Sequence, residues 1–273
     1  MTTQVTKNKW ITVAADSINQ YPDGINQIYQ EELEGIVIKQ VFSLEEMLNV
    51  QQQLEMQKLA THEVRYGQTL GQVIIEIGKD RSEYLQNAQR FREGLTTIFK
   101  IDFETKLENI FSQMSGGRNI ELPKENGQAY SPATIRFAQP KKGGLPAHTG
   151  NEFLHDSAYD YLKSIGKVVN GLSYFIVISK PEEGGELVLF YLPPEHMSKQ
   201  ETDPEKIRLA KQHLDSCPQR KIVPETGDMI IFKGGNIMHK VAEISGNKTR
   251  ITIGGFLALS QDDQKFIIGV KSR

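Results

Sequence analysis

Apolar positions change their spacing about halfway along this chain, and the structure they predict changes from helical to extended. In the first half, Leu85, Phe91, Leu95, Ile98 and Phe99 recur at roughly helical intervals within a stretch running from about residue 80 to 115, closed by Gly116 and Gly117. Upstream, Ser43 is followed three residues later by Glu46, a capping box that starts a helix expected to reach about residue 59. A short helix is expected over residues 24–34, a strand over the β-branched run 35–42, and a strand or ordered loop over the glycine-rich stretch 61–80.

Beyond residue 128, short β-rich runs at 133–138, 172–178, 185–191, 229–232 and 250–259 alternate with glycine- and proline-containing turns, Gly184-Gly185 among them. Such a series predicts a barrel or jelly roll rather than a βαβ sheet. The polar stretch 198–220 interrupts it as a surface insertion, helical around 203–214. The expected fold is α+β and mainly β, a single domain over 1–273. Residues 129–273 form its double-stranded β-helix (jelly roll, cupin-like) core, and residues 1–128 a mostly helical portion packed on that core.

Composition narrows the partners. The chain's 273 residues suffice to bury one large core. A formal net charge of -2, with no block of Lys or Arg, predicts neither a nucleic-acid nor an anionic-membrane partner. The single cysteine, Cys217, can form no internal disulfide and points to a reducing, cytoplasmic compartment. The polar amino terminus lacks a signal-peptide core, and no apolar run has the length of a membrane span. The apolar pattern leaves no exposed seam, so a monomer is expected, and Trp10 is expected to serve packing.

Candidate chemistry lies in the β-rich half. His148 is followed two residues later by Gly150, His239 lies far downstream, and Arg250-Ile-Thr252 begins eleven residues after His239. In jelly-roll oxygenases a His-x-Asp/Glu pair and a distant His hold Fe(II) on one face, leaving positions for cosubstrate and O₂. A later Arg-x-Ser/Thr grips the distal carboxylate of 2-oxoglutarate. Here Gly150 stands where the acid would be, so one position at the metal is open to an exogenous anion such as chloride, which points to a halogenase rather than a hydroxylase. Taken singly, each residue has a plainer reading: Gly150 as a turn glycine, Arg250 as half of a surface ion pair. His62, His155, His196 and His213 have no motif around them and read as ordinary surface or core residues. Glu152, four residues after His148, is a rival metal ligand if the chain stays extended or bends back, and Asp156 a poorer one. A hydroxylase using Glu152 or water, and a cupin-like binding protein without catalysis, remain open alternatives.

Longer strings carry a resemblance. Tyr130-Ser-Pro-Ala-Thr-Ile-Arg136, His148-Thr-Gly-Asn-Glu-Phe153, Leu172-Ser-Tyr-Phe175, Gly184-Gly-Glu-Leu-Val188, Gly227-Asp-Met-Ile-Ile-Phe232 and the run from Arg250 to Ala258 resemble the cyanobacterial welwitindolinone/ambiguine/hapalindole halogenases. The likeness spans the β-rich half and, more loosely, the first half. It implies Fe(II) held by His148 and His239, chloride opposite Gly150, and 2-oxoglutarate clamped by Arg250 with Thr252 beside it, O₂ being the cosubstrate. It implies that Ser173 sits beside the metal and helps turn the outcome toward chlorination, although a strand serine bonded to backbone is an equal reading. Thr134 and Arg136 lie on the strand entering the site, where one of them is expected to touch cosubstrate or halide. The family's substrates, indole-isonitrile terpenoids not tethered to a carrier protein, imply an apolar pocket here around Leu70, Val73, Ile77 and Leu145, partly formed by the first half of the chain, with Asn151 beside the metal loop. The implied reaction is chlorination of an unactivated aliphatic C–H by radical rebound of chloride.

Overall fold

The computed structural model describes residues 9–57, 61–64, 67–74, 81–142 and 144–269. The capping box forms as the sequence predicts: the Ser43 amide donates to Glu46 Oε2 (2.6 Å) and the Glu46 amide to Ser43 Oγ (3.1 Å). In chain order the helices used below are α1 (Gly24–Tyr29), α2 (Leu44–Gln57), α3 (Arg81–Phe99), α4 (Phe103–Ser112), α5 (Asp160–Ile165) and α6 (Pro204–Ala210). The expected continuous helix over 80–115 is thus two. Lys100 takes a left-handed φ of 58°, and Asp102 then caps α4 by accepting from the Thr105 amide at 3.0 Å. Across the break Phe99 and Phe103 stay in tilted contact, ring centres 4.7 Å apart.

The strands are β1 (Trp10–Ala14), β2 (Gly35–Lys39), β3 (His62–Val64), β4 (Gly67–Leu70), β5 (Asn119–Glu121), β6 (Thr134–Ala138), β7 (Gly166–Ser179), β8 (Leu187–Phe190), β9 (Gln219–Ile222), β10 (Met229–Phe232), β11 (Met238–Val241), β12 (Arg250–Ser260) and β13 (Lys265–Gly269). The large sheet runs β1-β2-β10-β7-β12-β6-β4-β3, with β13 beside β12 and β5 beside β13. A second sheet, β9-β8-β11, faces it. The first half of the chain is therefore not an independent helical layer. It supplies β1 and β2 to one edge of the large sheet and β3 and β4 to the other, and the polar context of residues 10–14 hid β1 from the sequence reading.

Side-chain alternation sorts the large sheet into two faces. Leu172, Tyr174, Ile176 and Ile178 of β7 join Ile36, Met229, Ile231 and Ile253 in the principal core, against Val50 of α2, Leu95 of α3 and Phe111 of α4. Ser173 and Phe175 point the other way, toward the small sheet. There Val37, Ile230 and Phe232 meet Leu187 and Leu189 of β8, and Trp10 packs at the margin as expected. This sandwich of a helix-backed sheet and a smaller facing sheet is the double-stranded β-helix. Among the described residues no helix is long and apolar enough to cross a membrane.

Candidate active site

The site forms between the two sheets, where β11 meets the segment before Gly150. His148 and His239 face each other in an isolated antiparallel bridge, each amide donating to the other's carbonyl at 2.9 and 3.0 Å. The bridge sets the imidazoles side by side, ring centres 4.3 Å apart. Each Nδ1 lies 2.8 Å from a backbone carbonyl two residues earlier, that of Pro146 or of Ile237. A carbonyl only accepts, so each Nδ1 carries a proton, and in the neutral ring the lone pair is then on Nε2. Two buried, oriented nitrogen donors of this kind are what a metal centre requires of its histidines. Among the described residues no third His, Cys, Asp or Glu joins them as a metal-binding group.

Gly150 starts a helical turn, Gly150–Phe153, and its φ lies outside the left-handed region. The plain turn-glycine reading therefore loses its conformational reason, because any L residue could adopt this backbone. The turn removes the extended strand as a route for Glu152 to reach a metal, which leaves only a chain that bends back. Glu152 instead accepts from Lys211 Nζ at 2.9 and 3.0 Å, and Asp156 caps the next turn through the Ala158 amide. The loop 233–236 holds Gly150 in place: its amide donates to the Gly234 carbonyl (2.7 Å) and that of Asn151 to the Gly235 carbonyl (2.9 Å). A Cβ on Gly235 would lie 2.6 Å from the backbone of Asn170 and Gly171. Gly235→Ala is accordingly expected to cost about 1–3 kcal/mol in a denaturant titration, and to loosen the turn that begins at Gly150.

A cavity of about 110 Å³ opens on the histidines and gathers most of the residues singled out from sequence: Ser173, Thr134 and Arg136, Leu145, Arg250 and Thr252. Arg250 opens β12 and is 5% exposed. Its pKa falls to about 10, first because burial disfavours the charged guanidinium and then because Arg136 places a second cation beside it. Its guanidinium stands 5.4 Å from the Phe175 ring centre, and among the described residues no carboxylate lies within ion-pair distance of it. Gly184 and Gly185 both have positive φ, and a Cβ on Gly185 would meet Arg250 Cδ at 3.0 Å, so this turn makes room for the Arg250 stem as well as feeding β8. Arg250 and Arg136 thus bring two cations to the lining of one cavity.

The residues expected to line a substrate pocket divide. Leu145 reaches the cavity. Leu70 is buried in the principal core, on the helix-facing side of β4, and Val73 is buried at 3% exposure and does not line this cavity. Ile77 lies outside the described residues. Asn151 is used structurally, its Nδ2 donating to Asn170 Oδ1 (2.9 Å) and its Oδ1 accepting the Asn170 amide (2.8 Å), which ties the metal loop to β7. Two features escaped the sequence. Thr69, directly opposite Arg136 and so on the same sheet face, is fully buried with no partner for its hydroxyl among the described residues. An apolar slot beside Gly150 is lined by Phe153, Leu154, Tyr159, Val168 and Phe256, side chains from separate elements that no local pattern connects.

No curated protein sequence matches the chain. An N-substituted L-amino acid dioxygenase from Burkholderia ambifaria shares 15% identity at a TM-score of 0.53, over 92% of this chain and 91% of that one. The same kind of enzyme from that organism, in complex with alpha-KG, gives 14% identity, a TM-score of 0.54 and 89% of each chain. The epimerase SnoN, solved with Fe3+, alpha ketoglutarate and nogalamycin RO, gives 11%, 0.50, and 87% and 81%. At these identities the likeness establishes the double-stranded β-helix fold. The family model for the carrier-protein-independent halogenase WelO5 matches residues 7–268, nearly the whole chain, which therefore belongs to that family.

Proposed function

We propose that this protein is an Fe(II)- and 2-oxoglutarate-dependent halogenase that converts an aliphatic C–H of a free-standing small molecule into C–Cl. The observation that carries the reading is the donor set: two buried, adjacent histidines whose Nδ1 atoms face backbone carbonyls, which leaves Nε2 as the nitrogen to ligate, and a glycine with ordinary backbone geometry two residues after the first. The residues fit the groups the family implies. His148 and His239 would hold the iron, and Arg250 with Thr252 the distal carboxylate of 2-oxoglutarate. Arg136 helps balance that dianion, and chloride would take the position facing Gly150.

When bound, the iron supplies the oxidative chemistry, with the overall balance R–H + 2-oxoglutarate + O₂ + Cl⁻ + H⁺ giving R–Cl + succinate + CO₂ + H₂O. The chain's own residues bind, orient and exclude water. Phe232 meets the His239 ring edge-on at 4.9 Å and, with Leu187, lines the cavity. Ser173, on the cavity face of β7, lines the same cavity as the two histidines. The apolar slot beside Gly150, of about 20 Å³, has room for a small apolar edge of a substrate rather than for the whole molecule.

Anaerobic addition of 2-oxoglutarate to the Fe(II)-loaded protein is expected to raise a weak visible charge-transfer band. Admission of O₂ with chloride and an indole-terpenoid substrate is then expected to give a product bearing the chlorine isotope doublet in its mass spectrum. A hydroxylated product at saturating chloride would assign a hydroxylase instead, and no band at all would contradict the cosubstrate site.

A further inference from the structure

A halide position facing Gly150 works only if protein oxygen ligands stay out of it, and one carboxylate lies two residues away. Glu152 sits in the turn Gly150–Phe153 and is drawn off by Lys211, whose Nζ contacts both carboxylate oxygens at 2.9 and 3.0 Å. The partners lie 59 residues apart in sequence and are largely shielded, their side chains 29% and 17% exposed.

Lys211 is itself well anchored. It follows α6, whose start is capped by Asp203 accepting from the Glu205 and Lys206 amides. Ile207 of α6, fully buried, packs with Val188, Phe190 and Met238, and Ala147 packs against the same cluster. Ala147 and Met238 immediately precede the two histidines in sequence. The insertion is thus fixed to the backs of the segments that carry the metal donors, and from there its lysine reaches the glycine turn.

We infer that Lys211 is a positioning residue that holds Glu152 away from the metal and so keeps the position facing Gly150 available to halide. The inference rests on the halogenase reading for the meaning of that position. An ordinary partly exposed ion pair would only fasten the insertion to the turn, and it would not respond to halide. If Lys211 acts as inferred, its removal releases a carboxylate that competes with chloride.

The test uses anaerobic Co(II) in place of iron, with 2-oxoglutarate, and reads metal affinity and the chloride-induced change in the visible spectrum. Lys211→Met and Lys211→Gln are expected to bind Co(II) about tenfold more tightly, the scale on which partners around a metal site act. Both are expected to lose the chloride response. Lys211→Arg and Glu152→Gln should behave as wild type, and Lys211→Met/Glu152→Gln should recover both wild-type values. In turnover, the two neutral Lys211 variants should shift product from chlorinated to hydroxylated. Wild-type affinity and chloride response in both neutral variants would overturn the inference, as would failure of the double variant to recover. A wild-type protein whose Co(II) spectrum ignores chloride would count against the halogenase reading, whereas a Glu152-dependent gain in Co(II) affinity would still decide the role of Lys211.

Discussion

Gly150→Asp is expected to abolish chlorination while leaving the protein folded and able to bind Fe(II). The backbone at 150 is one that aspartate adopts without strain, and the residue sits two positions after His148, the spacing from which a carboxylate completes a facial site. A tethered carboxylate competes with free chloride at an effective concentration far above millimolar, so chlorinated product should fall by at least about 100-fold. Hydroxylated product is expected to appear in its place, read by mass spectrometry against the wild type. Unimpaired chlorination by Gly150→Asp would mean that halide does not bind opposite this residue.

The second large effect concerns Arg250. Arg250→Met is expected to weaken 2-oxoglutarate binding by about 100-fold or more, since two charge-assisted hydrogen bonds are worth about 3 kcal/mol together. The same variant should be more stable than wild type when both are ligand-free. Arg250 is buried beside Arg136, and its pKa is lowered to about 10. A basic group whose folded pKa is depressed costs stability wherever it stays charged, so the penalty is full below about pH 10 and fades as pH rises toward the unfolded value. That difference amounts to about 3 kcal/mol at neutral pH, relieved by methionine and offset in the wild type when the dianion binds. Thermal melts should therefore show 2-oxoglutarate raising the wild-type midpoint and leaving the variant unmoved. A variant that is less stable without ligand yet still stabilised by 2-oxoglutarate would contradict the clamp.

Much of this was legible in the chain. Local patterns announced the capping box at Ser43, the strands around 135, 175, 230 and 255, and the helical insertion after 203, because each depends on near neighbours. The order His148, His239, Arg250 could be read because strand alternation and a fixed motif spacing place those side chains. Features set by distant contacts were not legible. Leu70 and Thr69 differ by one position, and a one-residue shift of strand phase sends a side chain from the core face to the site face. The polar residues around β1 concealed a strand that pairing with β2 stabilises. Nothing near Glu152 announces Lys211, and nothing near Asn151 announces Asn170. The apolar slot draws on a turn, on β7 and on β12, so only the assembled fold reveals it.

One measurement addresses the metal position directly. A crystal of the protein grown anaerobically with Fe(II), 2-oxoglutarate and bromide can be measured at the bromine absorption edge. The account predicts an anomalous peak at bonding distance from an iron held by His148 and His239, on the side facing Gly150. An oxygen of Glu152 or Asp156 at that position, or iron that is not held by the two imidazoles, would contradict it.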